Sequence, residues 1–197
     1  MKKRQFLAAG LLGMSSVAIA ANKKKQAACA ANTEPGPVLL TVTGAIGAGN
    51  RGALDPALDQ MMVKQKLQFN RAHTFDFASL GALPQTTIKP TLEYDSKQHV
   101  LSGPLLSEVM HAAGAAAASD VLLRAVDGYA VQVAMAEIRK YRFIVATHLD
   151  GKPIPLGGLG PLWAVYDADS FPDIMGKPIS ARFALCPWGT YHIEAKT

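Results

Sequence analysis

The feature that most limits the fold of this chain is the repeated alternation of short apolar, β-branched runs with turn-forming pairs. Residues 121–126 and 129–133 are two such runs joined by Asp127-Gly128, a dipeptide suited to a tight hairpin turn. Residues 143–149 run into Asp150-Gly151-Lys152-Pro153, a second tight turn. Residues 38–43 read as a first strand, and residues 85–94, 98–101, 162–166, 181–186 and 191–195 complete the set. Helices are expected to be few and short. Residues 74–84 read as a strand end entering a helix that Pro84 closes. Residues 104–113 make the best helix, with Pro104 in the first turn and Leu105, Leu106, Val109 and Met110 on one face. Residues 134–141 give another, residues 112–118 a helix end plus connection, and residues 54–69 either a helix or an inserted loop. Strict βαβ alternation is absent, so the expected class is α+β.

The first 20 residues read as an export signal. Lys2, Lys3 and Arg4 precede an apolar stretch from Phe6 to Ile19, and Ala18-Ile19-Ala20 offers a small-residue cleavage site. That apolar run is about 14 residues, short of the ~20 needed to span a bilayer. Lys3-Arg4-Gln5-Phe6-Leu7 approximates a twin-arginine signal with Lys in the first Arg position. A second site, Ala28-Cys29-Ala30, lies beyond Lys23-Lys24-Lys25. Residues 1–30 are therefore assigned to signal and lead, with cleavage after Ala20 or Ala30, and residues 31–197 to a single domain of periplasmic location. The choice of site changes the charge. Cleavage after Ala20 leaves 17 basic against 15 acidic residues, and cleavage after Ala30 leaves 14 against 15. The basic balance of the whole chain thus belongs largely to the signal, and no nucleic-acid surface is expected. Two cysteines, Cys29 and Cys186, make no disulfide framework.

The motifs that could carry chemistry are weak. Gly47-Ala48-Gly49-Asn50-Arg51-Gly52 matches a dinucleotide fingerprint in letters, but no helix is expected directly after it, and a loop is the better reading. The five histidines, His73, His99, His111, His148 and His192, include no pair four residues apart on a helix. There is no G-x-S-x-G elbow. His148 is notable for standing before the Asp150-Gly151 turn, a place where loops carry function. Cys186 reads as a small buried side chain in a strand. Trp163 and Trp188 lie among apolar residues and are expected in the core, whereas Tyr129 and Tyr166 either line a pocket or cap a core edge.

In order along residues 38–195, several segments resemble one family. They are Leu40-Thr41-Val42-Thr43-Gly44, Phe75-Asp76-Phe77 through Leu83-Pro84-Gln85-Thr86, and Leu101-Ser102-Gly103-Pro104-Leu105-Leu106 with Gly114. Asp127-Gly128-Tyr129, the stretch from Ala146 to Pro153, Gly160-Pro161-Leu162-Trp163 and the run from Trp188 to Ile193 complete the set. Together they resemble the oxidoreductase molybdopterin-binding domain family, which shares its fold with sulfite oxidase. The resemblance implies a mixed, barrel-like β-sheet fold with a few short helices, and an exported redox enzyme that holds molybdopterin.

One element of that pattern is missing. The family's molybdenum-ligand cysteine would fall in the stretch from Thr86 to Tyr94, which contains no thiol. A thiolate is the soft ligand the ion favours, and neither Thr nor Pro replaces it. Arg51, Arg71, Arg124, Arg139, Arg142 and Arg182 are scattered rather than clustered for an anion. Two expectations of different class result. One is an oxidoreductase-like protein of unknown redox substrate that binds molybdopterin without sulfite oxidase-type coordination. The other is a cofactor-free periplasmic ligand-binding or sensory module on the same fold. No metal ligand or catalytic residue is assigned, although Thr91, His148 and Cys186 are where a replacement ligand would be sought. Cofactor contacts are expected at Tyr129, His148, Gly160 and Trp163, where strand-end turns bring backbone N–H groups to an anion. The expected partners are a pterin or small anion and a periplasmic redox or sensor protein, with no membrane contact after signal removal.

Overall fold

In the computed structural model, residues 35–197 are described; the export signal, both cleavage positions and Cys29 lie outside them. Strand β1 (Leu40–Gly44) is buried at four successive residues, so both of its faces are covered. A strand buried on both sides belongs in the middle of a sheet. It pairs with antiparallel β2 (His73–Phe75) on one side and parallel β11 (Thr190–Lys196) on the other. Beyond β11 lie β5 (Asp120–Ala125) and β6 (Ala130–Ala134), giving the order β2-β1-β11-β5-β6. Along β5, buried and part-exposed residues alternate, as expected when one face of a strand meets the core.

A second sheet contains β3 (Gln85–Ile88), β4 (Leu101–Pro104), β8 (His148–Leu149) and β9 (Lys152–Pro153). Between the two sheets in sequence, β7 (Ile144–Ala146) pairs with β10 (Trp163–Val165), and all six residues are buried. Around this pair sit Phe143 and Tyr166, whose rings meet edge-on at 4.8 Å, and Trp163. The helices α1 (Gln60–Lys64), α2 (Phe77–Ala82), α3 (Leu106–Ala112), α4 (Met135–Lys140) and α5 (Pro172–Met175) are short. The class is mixed α+β. The barrel-like expectation is corrected: among the described residues no sheet closes, and the five-stranded sheet ends at β2 and β6. No helix among these residues is long and apolar enough to cross a membrane.

Tertiary contacts moved several boundaries. The strand expected over residues 85–94 stops at Ile88, just before Lys89-Pro90, since proline has no N–H for a ladder. Pro104 ends β4 opposite Gln85 instead of opening a helix. Leu105 bridges Ile144 and Leu106 N–H donates to Phe143 O at 2.8 Å, so α3 starts only at Leu106. The run 143–149 divides because Thr147 N–H turns to Ser102 O at 2.9 Å, sending β7 and β8 into different sheets. Residues 54–69 are mostly loop around α1. The expected strand at 181–186 is instead a turn, closed by Cys186 N–H donating to Phe183 O at 2.9 Å. The glycine-rich run at 47–52 opens no helix. Asn50 and Arg51 N–H groups both donate to Ala72 O, and the Arg51 guanidinium pairs with Asp59.

Candidate functional site

The Asp127-Gly128 hairpin builds one wall of the best-formed recess. Gly128 has φ +93°, a conformation side chains resist, and Asp127 Oδ1 accepts from Tyr129 N–H at 2.9 Å. This Asx-type turn ends β5 and aims Tyr129 across the gap, where its hydroxyl donates to Ala184 O at 2.8 Å. The opposite wall is the turn at residues 182–189, and its position is fixed from behind. Trp163, 1% exposed, donates its indole N–H to Cys186 O at 2.9 Å. Thr190 Oγ1 donates to Pro187 O, and Gly189 N–H donates to Leu159 O at 3.1 Å. Tyr166 OH donates to Arg182 O. A third wall comes from the turn at residues 92–97, where Leu92 N–H donates to Lys97 O at 2.9 Å.

These walls enclose a cavity of about 230 Å³. Three large aromatics line it while remaining open to solvent: Tyr94 at 58%, Tyr129 at 48% and Trp188 at 37% exposure. Two carboxylates, Glu93 and Asp127, also line it, and no Lys, Arg or His does. Burial and the adjacent Glu93 charge push the Tyr94 hydroxyl above its usual pKa. Trp188 N–H acts on the same hydroxyl in the opposite sense. Cys186 forms part of the wall, and burial pushes its thiol well up. A buried thiol held protonated is a poor nucleophile.

The four residues expected at a cofactor site fall in different relations to this recess. Tyr129 lines it. Trp163 stands behind it, holding the Cys186 carbonyl. Gly160 also acts from behind: a Cβ there would lie 2.4 Å from Ile154 O, so only glycine permits this approach beside the recess turn. His148 is elsewhere, in β8, with Nδ1 2.8 Å from Thr147 Oγ1 and its ring 5.3 Å from Phe77. The other residues considered as replacement ligands do not join it. Thr91 bridges Gln98 and gives its N–H to Asp169 Oδ2 at 2.7 Å, while Cys186 is buried at the recess. Among the described residues no group of three or more His, Cys, Asp or Glu could hold a metal ion.

Sequence reasoning missed Glu93 and Tyr94, which it had placed in a strand, and Trp188, which it had placed in the core. The correction for Trp188 has a simple cause: the Pro187-Trp188-Gly189 turn carries the ring outward while Trp163 fills the interior. The available signal was Pro90, which ends a strand and leaves Glu93-Tyr94 free to stand on a turn.

No protein-family model matches the chain, and no curated protein matches it.

Proposed function

We propose that this chain is an exported, periplasmic ligand-binding module, built on a sulfite oxidase-like molybdopterin-binding fold that has given up its metal centre. The observation carrying this reading is the aromatic recess between the Asp127-Gly128 hairpin and the 182–189 turn. Half-exposed Tyr and Trp side chains gathered in one cavity are costly to leave in water and valuable against a ligand. The buried bonds from Trp163 and Thr190 hold the 182–189 wall in place, which lowers the ordering cost of binding there.

The residues present do not suit molybdopterin at this recess. The cofactor is anionic, and the two lining carboxylates would repel it with no cation to compensate. The cavity is also below the ~300 Å³ at which most cofactor sites begin. A pterin or small anion is therefore not the ligand class this reading selects. A protein partner in the periplasm remains consistent with a sensory role.

The test uses protein exported with its own signal by cells that also load a control molybdoenzyme. Elemental analysis and pterin fluorescence are expected to find neither molybdenum nor pterin at a meaningful fraction of the chain. Near-stoichiometric metal and pterin would overturn the proposal and restore the oxidoreductase reading.

A further inference from the structure

We infer that the recess selects a small organic cation, a quaternary ammonium group with an apolar coat, between Tyr94, Tyr129 and Trp188. This inference rests on the ligand-binding reading above and names its ligand class.

Glu93 and Asp127 face the same space of about 230 Å³, and no basic side chain lines it. Asp127 Oδ1 accepts from Tyr129 N–H at 2.9 Å, which fixes the orientation of this carboxylate at the rim of the recess. The field of the recess is therefore negative, and a cation gains from it what an anion would lose.

The aromatics then decide which kind of cation. Ring faces carry negative charge density, so Trp and Tyr attract cations most strongly when these are poorly hydrated. A metal ion of the calcium or magnesium type requires six or more oxygen ligands, or keeps its waters. Two carboxylates and Ser180 among aromatic side chains do not supply that shell. A quaternary ammonium needs none. Its charge is spread over methyl groups that pack against Tyr and Trp faces, and the carboxylates complete the neutralisation at longer range. Tyr129 is held in place for this by its bond to Ala184 O, and the 182–189 turn by Trp163. An aromatic wall that does not need to be ordered on binding adds to affinity.

The experiment compares choline with dimethylbutanol, its neutral isostere in which carbon replaces the nitrogen, on the mature exported protein. Binding is followed by NMR signals of Tyr129 and Trp188, with an acetate probe as the anionic counterpart. Choline is expected to saturate these signals at least tenfold more tightly than dimethylbutanol, a difference of about 1.4 kcal/mol. Asp127→Asn and Glu93→Gln are each expected to weaken choline threefold or more and to leave dimethylbutanol unchanged. Both positions line a solvent-open cavity, and the amide keeps the acceptor that Tyr129 N–H uses, so these variants retain the fold. Equal binding of choline and dimethylbutanol, or a stronger response to acetate, would overturn the cation while the ligand-binding reading stands. No response of the recess signals to any of the three would overturn both.

Discussion

The indole N–H of Trp163 donates to the carbonyl of Cys186 at 2.9 Å, with both groups inside the protein. Through this bond the core pair of β7 and β10 fixes the turn on which half-exposed Trp188 stands. One tryptophan positions and the other presents. Replacing Trp163 by Phe keeps most of the ring but leaves the buried Cys186 carbonyl without its donor, at a cost of about 1–3 kcal/mol. Trp188→Phe, at a half-exposed position, is expected to cost under about 1 kcal/mol. Urea unfolding of the two variants checks this, and equal losses would show that the buried bond carries no special weight.

Two glycines near the recess differ in what holds them. At Gly160 an added Cβ would strike Ile154 O at 2.4 Å, backbone that cannot swing aside, and Ala there is expected to cost about 3 kcal/mol or more. At Gly128 an added Cβ meets nothing within 4 Å, so only its φ of +93° resists. Gly128→Ala is expected to cost about 1–2 kcal/mol, and Gly128→Asn less, because Asn tolerates left-handed backbone. Thermal denaturation of the three variants gives the ranking directly.

His192 is 1% exposed, with Nε2 2.9 Å from Thr43 Oγ1. Burial, aided by the Arg124 charge, pushes its pKa down to about 3. The folded state therefore keeps this ring neutral, whereas the unfolded chain protonates it below about pH 6.5. Its contribution is fully present above that value and is lost as pH falls toward about 3, at up to roughly 1.4 kcal/mol per unit. The ring C–H signals of His192 in NMR are expected to stay at their neutral positions until the protein unfolds. Titration near the ordinary histidine value in folded protein would contradict this.

His99 has the opposite sign. It lies between Asp95 Oδ2 at 2.9 Å and Asp150 Oδ2 at 2.7 Å, and these hydrogen bonds, Asp95 first, raise its pKa. The pair ties the Asp150-Gly151 turn to the turn at residues 95–99. Its contribution is fully present below about pH 6.5, the unfolded value, and disappears as pH rises through the raised folded value. His99→Gln is expected to flatten the stability profile above about pH 6.5 and also to change the limb below about pH 4, because Asp95 and Asp150 lose the partner that holds their carboxyls below the usual range. Urea midpoints across that range decide it.

The parts of the structure legible in the sequence were those fixed by local chemistry. Asp127-Gly128 and Asp150-Gly151 sit in hairpin turns because their residue types tolerate the backbone those turns require. Asp76 and Ser79 cap α2 reciprocally, so the short helix after β2 forms where the sequence placed it. Tyr129 follows such a turn, and that turn places it at the wall of the recess. The recess itself was not legible. Glu93 and Tyr94, the 127–129 hairpin and the 180–188 turn are separated by tens of residues, and no pattern along the chain says that they meet. His148, which shared the same kind of turn context as Tyr129, ended in another sheet beside Phe77.

The sequence by itself determined the α+β class, the hairpins and the absence of a thiol between Thr86 and Tyr94, since each depends on residue type or on backbone preferences acting over a few residues. Only the tertiary structure decided which tryptophan is buried, where α3 begins and which side chains share a cavity. Those outcomes depend on competition for the same interior and the same hydrogen-bond partners between segments far apart in the chain. Trp163 took the interior and the Cys186 carbonyl, and Trp188 was left at the surface, where a ligand can reach it.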